Sequence, residues 1–133
     1  MSILRRSRAI LALNGIVMIF IGIIFFIYPE KITIIMFPKI ISNPEALETG
    51  VVLRYLMGAG HLTIGIILYL ARISIKSGAQ RVLLGSGIGF MIIFATAVFI
   101  IVNYKSDIPV VALSVYPLLG ILSLYVSTRK FQD

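Results

Sequence analysis

The stretch GVVLRYLMGAGHLTIGIILYLA, Gly50–Ala71, decides the fold. It has the length an α-helix needs to cross the ~30 Å hydrocarbon layer of a bilayer. Its basic side chains are Arg54, near one end, and His61, near the middle. Three more runs of the same kind follow when the rest of the chain is read around it: Ala9–Tyr28, Val82–Val102 and Pro109–Val126. Short segments between the runs hold nearly every charge. Lipid therefore replaces water as the solvent for most of the chain.

Composition agrees. The 133 residues are 59% hydrophobic and 13% charged, and the mean hydropathy is +1.07, outside the range of ordinary soluble domains. The expected fold is all-α: a single-domain integral membrane antiparallel four-helix bundle, with an interfacial segment between the first and second spans. The first run follows Arg5, Arg6 and Arg8 but exceeds a signal-peptide core, and no small-residue cleavage site precedes Tyr28-Pro29-Glu30; it reads as a retained helix.

The net charge of +7 is explained by where the charges sit. Arg5, Arg6, Arg8, Arg72, Lys76, Arg81, Arg129 and Lys130 fall on one side of the four spans. Lys31, Lys39, Lys105 and Arg54 fall on the other, together with Glu30, Glu45, Glu48 and Asp107. The positive-inside rule then puts both termini in the cytoplasm. The basic face attracts anionic membrane lipid, and nothing interleaves aromatic with basic residues as a nucleic-acid binder would. Cysteine is absent, which excludes disulfides, thiol catalysis and thiolate metal sites.

Tyr28, Tyr55, Tyr104, Tyr69 and Tyr125 fall near span ends, where amphipathic rings meet headgroups. Tyr116 lies deeper and needs a hydroxyl partner. Lys31–Ser42 is too apolar for a free loop and too short to cross, so it is expected in the interface, interrupted at Pro38. Ser42-Asn43-Pro44-Glu45 reads as a helix start, and Ser106-Asp107 with Pro109 as a similar one. Arg72–Gln80, ending in Ser77-Gly78, reads as a tight turn. Pro117 interrupts the backbone hydrogen bonding of the last span.

One constellation stands out. At 100° per residue, Arg54, Gly58, His61, Gly65, Leu68 and Arg72 fall within about 40° of one line. An ionisable residue near the bilayer centre is expensive and is by default a functional candidate. His61, Arg54, Gly58 and Gly65 are therefore candidate ligand-binding residues. The structural alternative for His61 is a neutral hydrogen bond between helices, with the glycines as close-packing sites. Arg54 snorkels to headgroups, anchors an anion, or pairs with Glu30 or Asp107. Asn14 is a further candidate; it makes an interhelical hydrogen bond or touches a ligand, and it stands roughly 100° from the Ala12–Gly15–Gly22 face, so the two cannot contact the same neighbour equally. The first two spans each carry glycines seven apart, Gly15/Gly22 and Gly58/Gly65. The third aligns Gly85, Gly89, Thr96 and Asn103, with Gly85-x-x-x-Gly89 as a close-approach motif. The fourth aligns Tyr116, Gly120, Ser123 and Ser127 as a packing face.

No span contains Asp or Glu, which argues against a proton-coupled exporter. No second histidine completes a metal site, and no serine–histidine–acid set, HExxH or phosphate loop occurs. No catalytic residue and no cofactor are expected.

Asn14-Gly15 with Gly22, Tyr28-Pro29-Glu30 and Arg54-Tyr55-Leu56-Met57-Gly58, with the spacing of the four spans, resemble the small bacterial four-helix DoxX-like membrane proteins and their DUF4345-type relatives. The resemblance implies a four-span fold in a bacterial cytoplasmic membrane and, for some members, association with quinone-linked oxidoreductase systems; no redox residues recognisable here carry that activity over. The expected function is a small non-enzymatic membrane protein that binds a lipid-like ligand or serves as an accessory subunit of a larger membrane complex or homo-oligomer. The alternatives are a membrane enzyme or redox-partner subunit acting on a quinone or lipid with His61 and Arg54 in the site, or an oligomeric channel or transporter.

Overall fold

The computed structural model describes residues 7–104 and 106–128, apart from the side chains of residues 76 and 104. Arg5, Arg6, Lys105, Arg129 and Lys130, five of the basic residues in the charge distribution, lie outside the described residues, as do the side chains of Lys76 and Tyr104. The described chain is helical: α1 (Ser7–Ile27), α2 (Pro29–Met36), a 3-10 turn (Pro38–Ser42), α3 (Pro44–Ala71), α4 (Lys76–Tyr104) and α5 (Val110–Ser127). Four of these helices, α1, α3, α4 and α5, are long and apolar enough to cross a membrane.

Local chemistry explains most of the boundaries. The Asn43 side-chain oxygen accepts from the Ala46 N–H at 3.1 Å, Pro44 opens α3 and Glu45 lies in its first turn. That combination satisfies an otherwise orphaned donor and suits the helix dipole. Pro38 separates α2 from the 3-10 turn, since proline cannot continue the i→i−4 ladder. The Lys31–Ser42 segment is therefore a short helix and a turn.

Two expected boundaries differ. The α3–α4 connection turns at Arg72–Ile75, where the Ile73 and Ser74 amides bond Leu70 and Ala71 carbonyls. Ser77 and Gly78 already lie in the first turn of α4. Glycine is tolerated there because helical bonding outweighs its local cost of about 1 kcal/mol. Before α5, the cap position is Pro109, without a side-chain cap. Ser106 and Asp107 instead turn toward α2: the Asp107 N–H and the Ser106 hydroxyl both donate to the Met36 carbonyl, at 3.0 and 3.1 Å. This fastens the end of α2 to the α4–α5 connection.

The four long helices pack as two close pairs, α1 with α3 and α4 with α5, and the contacts between pairs are sparser. In the first pair the glycines seven apart meet each other. A Cβ on Gly15 would lie 2.8 Å from the Gly65 carbonyl oxygen, and one on Gly22 would lie 2.9 Å from that of Gly58. Numbers rise along one helix as they fall along the other, so the pair is antiparallel. In the second pair Gly87 abuts Leu124 and Gly120 abuts Met91, again an antiparallel register. Gly85 and Gly89 face open space: the residue that approaches α5 is the intervening Gly87, because the contact falls on the helix face between them.

The apolar core, Ile10, Leu11, Met18, Leu68, Ala79, Leu83, Phe90, Leu119 and Val126, belongs to the half of the molecule away from α2. Large apolar side chains on every long helix remain exposed, among them Phe20, Leu56, Ile92 and Leu118. In water that surface would be untenable; in hydrocarbon it is the expected outer wall.

Candidate functional site

The α3 stripe read from helical geometry is the buried side of that helix. Arg54, Gly58, Gly65 and Leu68 are buried, and His61 and Arg72 are half-buried. The stripe does not have one role along its length. At Gly58 and Gly65 the space a ligand would need is filled by α1: Phe26 and the Gly22 carbonyl at the first, Ile19 and the Gly15 carbonyl at the second. These glycines bring two backbones together, as small residues do in membrane helix pairs.

His61 bridges the two helix pairs. Its Nδ1 lies 2.7 Å from the Met57 carbonyl and its Nε2 lies 2.8 Å from the Tyr116 hydroxyl of α5. A carbonyl only accepts, so Nδ1 carries the proton; in the neutral ring Nε2 accepts from the Tyr116 O–H. The deep tyrosine and the lone histidine thus satisfy each other. The Phe25 ring of α1 meets the imidazole edge-on at 5.2 Å.

Arg54 lies about 10 Å from His61 along α3, two turns nearer to α2. It is 6% exposed. Burial overturns the snorkelling expectation, and the carboxylates of Glu30 and Asp107 are exposed rather than turned in to meet it. Its Nη1 donates to the Met57 thioether sulfur at 3.2 Å, a weak acceptor. The Phe25 ring lies 5.8 Å from its Cζ, close enough for cation–π attraction. Its Nε is buried with no hydrogen-bond partner.

Asn14 is fully buried, and its amide donates to the Ser123 hydroxyl of α5 at 2.7 Å. The Ser123 hydroxyl in turn donates to the Leu119 carbonyl at 2.7 Å, while Asn14 Oδ1 has no partner. Asn14 and Gly15 serve different neighbours, α5 and α3, as their angular separation requires. The structure therefore brings Arg54 and His61 together through Phe25 and Met57, and leaves Asn14 at a separate bridge. A surface groove along Glu45, Glu48, Thr49, Val52 and Leu53 lies on the far side of α3 from the stripe and touches none of these residues.

Phe25 and Met57 were not among the candidates read from sequence. Met57 carried a signal, because it stands three residues after Arg54, on the neighbouring turn. Phe25 was legible only through the glycine register: once Gly22 faces Gly58, the residues just beyond Gly22 face Arg54. Comparison with protein-family models, with curated proteins and with solved structures gives no match for this chain, so a functional reading rests on the geometry of these residues.

Proposed function

We propose that this protein is a small non-enzymatic membrane protein, an antiparallel four-helix bundle with both termini in the cytoplasm, that binds a lipid-like ligand beside Arg54 and His61 at the end carrying α2. A single observation carries the reading: a buried arginine in a membrane-crossing helix whose hydrogen-bonding partner is one thioether and whose Nε has none. Ionisable groups at membrane depth are retained where they meet a partner, and this one is incompletely met. The basic residues at and before the start of α1, from Arg72 through the first turns of α4, and after α5 support the orientation, and the resemblance to DoxX-like four-span proteins fits it.

The test is gentle extraction followed by native mass spectrometry. Wild-type protein is expected to retain lipid-like molecules, and His61→Leu, which removes the bridge to Tyr116, is expected to change that profile. Equal stability together with an unchanged lipid profile in His61→Leu would remove His61 from the site, and the same result in Arg54→Gln would remove the main support for a ligand there. A second reading, an accessory subunit of a larger membrane complex, rests on α4. Its Gly85 and Gly89 face open space, and only 11% of its most apolar window is buried, against 33% for α1. The same spectra detect a co-purifying chain.

A further inference from the structure

We propose that the ligand is an amphiphile with an anionic oxyacid head, carboxylate or phosphate, and that Arg54 is the residue that reads the charge, with Met57 as the side chain that admits it. The proposal rests on the lipid-like-ligand reading above and names the chemistry of that ligand.

Guanidinium stays protonated in proteins, so a buried arginine is relieved by an anion and not by losing its proton. No described residue supplies that anion. The four carboxylates among the described residues, Glu30, Glu45, Glu48 and Asp107, are all on exposed residues. What Arg54 holds instead is a sulfur at 3.2 Å and a ring face at 5.8 Å, with Nε unpartnered. Its remaining donors form a planar fork that matches the two oxygens of a carboxylate or phosphate. With none offered by the described residues, the anion at this depth comes on something that partitions into lipid.

Met57 provides the route. Met57 is 42% exposed while Arg54, whose Nη1 it receives, is 6% exposed, and its unbranched side chain has three rotatable bonds. Rotation of the thioether away from Nη1 uncovers the charged fork from the lipid side and gives up only a weak hydrogen bond. His61 cannot offer the same service without breaking its bonds to both Met57 and Tyr116.

The experiment is native mass spectrometry of the detergent-solubilised full chain with matched pairs: phosphatidylglycerol against diacylglycerol of the same acyl chains, and oleate against oleyl alcohol. Inorganic phosphate alone forms a third arm, read by thermal unfolding. The expected result is at least about tenfold preference for the charged member of each pair, the size of one charge-assisted hydrogen-bonded contact. Arg54→Gln abolishes the preference, Arg54→Lys retains part of it, and Met57→Ala raises occupancy by the acid. Should Arg54→Gln fail to fold, Arg54→Lys and Met57→Ala carry the test. Equal retention of charged and uncharged partners by the wild type overturns the anionic head while leaving the lipid-like ligand in place. A preference that survives in Arg54→Gln overturns the assignment to Arg54. Arg54-dependent stabilisation by phosphate, with no amphiphile retained, keeps the anion and overturns the lipid-like ligand. Retention of nothing overturns both.

Discussion

The two halves of this molecule are built on different terms. Away from α2, Leu11, Met18 and Leu83 are sealed between helices, and the polar bridge there, Asn14 to Ser123, is itself fully enclosed. Toward α2, the buried residues are Gly22, Pro29, Thr33, Arg54, Gly58 and Ser106, and interdigitated large apolar side chains give way to a glycine contact, hydrogen bonds and one unpaired cation. Both halves face the same solvent, so the lipid does not account for the difference. A half closed by interdigitated side chains holds the fold together; a half closed by single polar contacts can open. That contrast locates the candidate site more firmly than either half alone.

Substitutions that test the contrast should separate stability from binding. The largest effect is expected from Leu83→Ala, which empties a fully buried position and should cost ~2–5 kcal/mol in thermal or denaturant unfolding in micelles. Gly65→Val should follow at ~1–3 kcal/mol, because its Cβ would lie 2.7 Å from the Ile19 backbone nitrogen, which cannot move aside as a side chain would. Tyr116→Phe removes the donor to His61 Nε2; double-mutant measurements on membrane helices put such bonds near ~0.6 kcal/mol. Its ¹⁵N imidazole signals should move while unfolding shifts little, and unmoved signals would mean that the bridge does not form. Ser106→Ala should cost a few tenths of a kcal/mol, about the lower end for a single hydrogen bond. Its readout is faster amide exchange at Asp107, whose N–H shares the Met36 carbonyl. The one change expected to cost no stability, Gly85→Ala, enters open space and should be neutral or stabilising by up to ~1 kcal/mol through helix propensity. Weakened association with another chain in native spectra would instead mark that face as an interface.

If the halves are as different as their packing, the first two changes lower stability and leave any bound-lipid profile proportional to folded protein. Changes at Arg54 and Met57 should do the reverse. Equal loss of stability at both ends would erase the distinction.

Much of this was legible in the residues. The α3 stripe was correct as a buried face because helical periodicity is a property of one helix and needs no neighbour. The Asn43–Pro44 start was correct because capping is local. The need of Tyr116 for a partner followed from burying a hydroxyl, but the identity of that partner did not. The glycines show the limit most clearly. Gly85-x-x-x-Gly89 has the spacing of a contact motif and faces open space, whereas Gly87 between them makes the contact. Spacing fixes which residues share a face; it does not say which face meets another helix.

The sequence by itself determined four apolar helices, the lipid around them and the one stripe on which Arg54 and His61 stand, since length, hydropathy and the 3.6-residue period are written in the chain. Only the tertiary structure decided that Gly58 and Gly65 are consumed by α1, that His61 answers Tyr116, and that Arg54 is buried with no carboxylate from the described residues. Those outcomes depend on the register between helices, which is set by the mutual fit of side chains far apart in sequence.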